Sequence, residues 1–81
     1  MDIETIKSKE DFLNFLAQLK EDFTKDPGSW KNKTLADYLE AMKRYAQDVQ
    51  GYYDNTSQNI DAALPSWKVF ADILMGAKVY E

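Results

Sequence analysis

Tyrosines recur at a spacing of seven, at Tyr38, Tyr45 and Tyr52, and Tyr53 follows directly, between Asp48 and Asp54. On a helix this spacing keeps the three rings along one edge. A tyrosine at such a boundary can cover a core with its ring and leave its hydroxyl in water. Left exposed, the same rigid ring is an anchor for a partner protein at low entropic cost. Neighbouring carboxylates would then steer a basic partner towards it. Tyr38, Tyr45, Asp48, Tyr52, Tyr53 and Asp54 are therefore the candidate partner-binding residues, with boundary packing as the plainer account of the same set.

Little else in the chain could do chemistry. There is no histidine and no cysteine. The usual general base and commonest metal ligand are missing, as are thiolate chemistry and disulfides. Ser-His and Cys-His catalysis is excluded. Paired carboxylates remain, Glu21 with Asp22 and Asp48 with Asp54. Neither pair lies in an apolar run of the kind that raises a carboxyl pKa. The stretch DNTSQNID spaces Asp54 and Asp61 too widely for a calcium loop and lacks its central glycine. The two glycosylation-type triplets, Asn32-Lys33-Thr34 and Asn55-Thr56-Ser57, read as accidental. No enzymatic activity, cofactor or metal is expected. Fourteen acidic residues against ten basic give a net charge of −4, which repels phosphate backbones and argues against nucleic acid as the partner. The first residues, MDIETIKSKE, carry no signal-peptide pattern, and no run approaches the ~20 apolar residues of a membrane span. A cytoplasmic location and no membrane partner are expected.

These residues need helices to position them. Ser8 with Asp11 forms a capping-box-like pair, and Phe12, Phe15, Leu16, Leu19 and Phe23 follow at helical spacing. Asp26-Pro27-Gly28 stops that helix near Lys25. Thr34 with Asp37 opens a second helix, whose stripe is Leu35, Leu39, Met42, Ala46 and Val49 and whose natural cap is Gly51, although Tyr52 and Tyr53 could extend it. Pro65 suits the first turn of a third helix reaching Tyr80.

That last helix is unusual. Val69, Ile73 and Tyr80 lie to one side, Phe70, Leu74 and Ala77 in the middle, and Trp67 and Ala71 on the far side. The apolar arc is roughly 200° wide, about twice that of a surface helix. Only Lys68, Asp72, Gly76 and Val79 are left for water, with Lys78 near an edge. One neighbour cannot satisfy such a helix. The expected fold is an all-α, compact three-helix domain, with helices at about 8–25, 34–51 and 65–80, the last one central, in a single domain over 1–81. Ile3 and Ile6 would pack as an extended lead-in, with a short strand there conceivable but unpartnered.

Two stretches, WKNKTLADYLEAM from Trp30 and PSWKVFADILMGAKVYE from Pro65, resemble a family of small bacterial domains of unknown function. Its members show a Trp-x-Asn-x-Thr-Leu…Leu-Glu-Ala segment and a Trp-x-x-Phe-Ala…Ala-x-x-Tyr-Glu terminus. The resemblance implies a compact helical protein and brings no catalytic residue. Read physically, Trp30 would plug one end of the core and Asn32 would bond loop backbone. Glu40 lies on the solvent side of its helix. Glu81, at the negative end of a helix, would look to Lys78 or Lys7.

The function these features favour is a small non-catalytic protein-binding domain with a protein partner, in its sharper form a basic one neutralised in the manner of an immunity protein or antitoxin. Colicin immunity proteins are similar in size and charge, and GYYDN looks a little like their tyrosine-acid stretch. A homodimer built through the third helix is the alternative to a monomer that binds elsewhere. A small-ligand binder is a further alternative, and would need a pocket lined by both tryptophans and a carboxylate.

Overall fold

Each helix begins at a hydroxyl side chain. Ser8, Thr34 and Ser66 lie in extended backbone, and each accepts a hydrogen bond at 3.1 Å from the amide three residues on, those of Asp11, Asp37 and Val69. These caps satisfy amides that have no partner within the helix. They open α1 (Lys9–Lys25), α2 (Leu35–Asn55) and α3 (Trp67–Ala77). The computed structural model describes residues 5–81, and among these there is no strand. A short 3-10 turn, Pro27–Ser29, follows α1 where the Asp-Pro-Gly signal places a stop.

Three boundaries differ from the sequence expectation. α3 stops at Ala77, short of Tyr80, and the carbonyls of Ala77, Lys78 and Tyr80 bond to the loop at Lys31 and Asn32 and not to a further helical turn. Pro65 does not lie in the first turn of α3; it precedes the Ser66 cap. The hydroxyl satisfies an orphan amide, which a proline cannot do. Gly51 does not end α2 either. The helix runs through it to Asn55 and closes with Ser57 at φ 58°, the one non-glycine at positive φ among the described residues. The Gln58 amide bonds back to the Tyr53 carbonyl at 2.9 Å, the six-to-one bond of a Schellman motif. The helix continues past a residue that costs ~1 kcal/mol in helix propensity because Tyr53, two positions on, is fully buried.

α3 packs against both α1 and α2, and α1 and α2 do not pack on each other. The central placement of the last helix is therefore as expected. Its breadth of apolar surface has a specific cause: it serves two half-cores. One gathers Phe15 and Leu19 of α1, Trp30 and Ile6 around Ala71, with Leu74 and Met75 packed against it. The other gathers Val49 and Tyr53 of α2 around Val69, with Tyr45 and Ile73 alongside. Ile6 thus packs as a lead-in without forming a strand, while Ile3 falls outside the described residues.

Of the side of α3 expected to face water, Val79 is exposed but the middle is covered. Asp72 is buried, and Gly76 lies under the Tyr45 ring. α2 has taken that side, and it does so with a different face from the expected one. Of the anticipated stripe, Val49 is buried and Met42 half-buried as expected, but Leu35, Leu39 and Ala46 stand exposed, and Tyr38, Ala41, Tyr45 and Tyr53 turn inward in their place, each buried or half-buried. The reason is chemical. The buried side chains Tyr53 and Asp72 satisfy each other, so a nominally polar strip of α3 can be covered. The middle of the α3 arc, Phe70 and Leu74, is consequently not closed over, and Phe70 remains 40% exposed.

Candidate functional site

The six candidate residues are distributed along α2, and three of them, Tyr38, Tyr45 and Tyr53, are engaged with α3. Tyr38 donates its hydroxyl to the Leu74 carbonyl at 2.8 Å and sets its ring at a tilt against Trp30, centroids 5.5 Å apart. Burial pushes its phenol up to about 12. Tyr45 lies against Gly76 and meets Tyr80 edge-on at 5.0 Å, and burial raises its pKa too. Asp48 accepts the hydroxyl of Tyr80, and that bond is the main reason the Tyr80 phenol is shifted up. Asp54 accepts from the Gln50 amide at 3.0 Å. Both aspartates are exposed, and Tyr52 is the exposed ring of the set, at 45%. The reading of Tyr53 as an exposed anchor is corrected: it is fully buried, and its hydroxyl donates to Asp72 at 2.6 Å. Burial first, and then that bond to a carboxylate, drive its pKa far above the ordinary phenol value. Tyr38 and Tyr52 are separated by fourteen residues of helix, roughly 21 Å, so the set is not one patch.

Two polar clusters lock the half-cores. On the α2 side, Asp72 accepts from Tyr53 and, at 2.8 Å, from Lys68. A buried carboxylate needs that company, since an unpaired one would be strongly disfavoured. On the α1 side, one oxygen of Asp22 accepts from both the Trp30 indole and the Lys78 ammonium, each at 2.8 Å. Those two donors, Lys78 first, hold the Asp22 pKa below its usual value. Glu81 pairs with Lys31 at 3.1 Å, not with Lys78 or Lys7, because Lys78 is committed to Asp22. Asn32 has a definite task. Its amide donates to the carbonyls of Ala77 and Tyr80 at 2.9 and 2.8 Å, and the backbone amides of Lys31 and Asn32 both reach the Lys78 carbonyl. The loop thereby satisfies carbonyls that the end of α3 leaves free.

The space left open is a trough between α1 and α2, floored by α3. It comprises two hollows that share Leu74, of about 350 and 560 Å³. Phe12 and Leu16 form the α1 wall, Leu35, Leu39 and Met42 the α2 wall, and Phe70, Ile73 and Leu74 the floor. Leu35 is 73% exposed and Leu39 51%. Three lysines edge it: Lys20 and Lys33 at one hollow and Lys43 at the other. Neither hollow is lined by a carboxylate or by both tryptophans. The arrangement offers burial and a few cations, and no nucleophile paired with a base. Sequence reasoning missed these residues by assigning Leu35, Leu39 and Met42 to the interior. The available signal was a surplus: α2 carries two apolar strips, and one helix face cannot bury both.

Fold and surface together define a small three-helix domain with an open apolar face. Within that class, the chain belongs to a family of unknown function, DUF7660, whose model matches residues 8–81. No curated protein and no solved structure matches it. Among the described residues no helix is long and apolar enough to cross a membrane, and no group of acidic side chains is placed to hold a metal ion.

Proposed function

We propose that this chain is a non-catalytic protein-binding domain, and that it binds through the trough between α1 and α2. The observation that carries the reading is the exposure of Leu35 and Leu39 on the α2 wall and of Phe70 on the floor of two adjoining apolar hollows. Small soluble domains seldom leave such surface uncovered without a use for it. Helical grooves of this make-up suit an amphipathic helix that lays its apolar side along the floor. A cytoplasmic setting accords with the cysteine-free composition.

A second reading keeps the partner at the exposed Tyr52 end of α2, beside Asp54, where an immunity-like domain would meet a basic protein. A third places a second copy of the chain over α3. A photo-crosslinking residue placed in turn at Leu39, Tyr52 and Gln47 in the intact chain, in its native cells, separates them. The proposal expects a discrete adduct with another protein from Leu39 alone. An adduct from Tyr52 alone moves the site to the tyrosine end, and a self-adduct from Leu39 makes the domain a homodimer. Equal labelling from Gln47, an exposed position away from the trough, or no adduct at all, removes the protein-binding reading.

A further inference from the structure

The chain is acidic overall, yet the trough is edged by cations alone. Lys20, Lys33 and Lys43 line it, no Asp or Glu does, and none of the three makes an ion pair among the described residues. Elsewhere Lys25, Lys31, Arg44, Lys68 and Lys78 each pair with a carboxylate, and the other two lysines without an ion pair among the described residues, Lys7 and Lys9, lie together at the start of α1 and away from the trough. With fourteen acidic residues in so short a chain, a rim that is free of them and holds three uncommitted lysines has its own sign, opposite to that of the whole molecule.

Resting on the protein-binding reading, we infer that the trough takes an acidic amphipathic helix of another protein. Its apolar side would seat on Phe70 and Leu74, and its flanking carboxylates would meet Lys20, Lys33 and Lys43. The whole-molecule charge points to a basic partner, but local charge governs here because screening in salt limits exposed charges to a reach of about 10 Å. Charge complementarity at the rim then selects the partner's sign, while the apolar floor supplies the affinity. A second copy of the chain is disfavoured by the same rim. An isologous contact brings each patch against itself, and this patch offers its own lysines no carboxylate among its lining residues.

The test selects, on the intact 81-residue chain, a library of helical peptides with leucine fixed at i, i+3, i+4 and i+7 and each flanking position varied between Glu and Lys. The Glu-rich members should be enriched, and a Glu-rich peptide should bind about tenfold or more tightly than its Lys-for-Glu counterpart, as three weak rim pairs together allow. The triple variant Lys20→Glu, Lys33→Glu, Lys43→Glu changes exposed positions only and should invert the preference while keeping its helical circular dichroism. Phe70→Asp should abolish binding of either class. Lys-rich peptides winning on the unaltered chain overturn the inference and leave the protein-binding reading standing. No peptide binding at the trough overturns both. Saturation of the trough by laurate, with peptides excluded, replaces the macromolecular partner by a small amphiphile and also overturns the inference.

Discussion

Gly76 of α3 lies directly under the Tyr45 ring of α2. A Cβ built there would overlap the Tyr45 ring, whose other flank is held by Tyr80. Alanine is the better helix former by about 1 kcal/mol, so an isolated helix would gain from Gly76→Ala. In this fold the overlap should outweigh that gain, because forcing an extra carbon into a packed contact costs about 1–3 kcal/mol. The melting temperature of Gly76→Ala should therefore fall by several degrees. In a Tyr45→Ala background the ring is gone, and the same substitution should become neutral or stabilising. Additive effects of the two changes in a double-mutant cycle would show that ring and glycine do not interact. The same reasoning explains why Asn32 and Trp30, conspicuous as residue types in the sequence, are occupied with holding a helix end and a core end, leaving little for chemistry.

At the scale of elements, the decisive boundary is the end of α2. If Gly51 were its cap, as the sequence suggests, replacing it would be costly. It lies instead inside the helix with open space where a side chain would go, so Gly51→Ala should stabilise by about 0.5–1 kcal/mol. Ser57, which does hold the left-handed position, should gain about 1 kcal/mol on replacement by glycine. Urea unfolding of both variants checks the pair, and a destabilised Gly51→Ala would return the cap to Gly51. Helix number, two of the three caps and the central place of α3 were legible in the sequence because capping and apolar spacing are local signals. The facing of α2 was not. Leu35, Leu39, Met42 and Ala46 make as good a stripe as Tyr38, Ala41 and Tyr45, with Val49 able to close either, and the choice between them is made by a tertiary pairing, Tyr53 with Asp72, nineteen residues apart. Reading Asp72 as a solvent residue and Tyr53 as an exposed one hid that pairing from both sides. With it went the trough, which exists because the leucine stripe was left outside.

For the molecule as a whole, the buried tyrosines make alkaline pH the condition that should separate the half-cores. Tyr38 holds its proton to about 12 in the folded chain, against about 10 for a free phenol. Tyr53 is shifted in the same direction, by burial and then by Asp72. Between those values the unfolded chain has released protons that the folded chain keeps, so stability falls as pH rises. The contribution is complete below about pH 10 and is lost on passing through about 12 for Tyr38. Each phenol held neutral can add a slope of up to about 1.4 kcal/mol per pH unit in that window. Urea midpoints measured between pH 8 and 11 should drop steeply above 10. Tyr38→Phe should lower stability at neutral pH by about 1 kcal/mol, through loss of the bond to Leu74, and should flatten the alkaline fall. Tyrosinate absorbance at 295 nm gives an independent reading: the last phenols should ionise only as helical circular dichroism disappears. Ionisation of all five tyrosines near pH 10 with the helices intact would mean that the rings on α2 are open to water, and that α2 and α3 are not joined through their phenols.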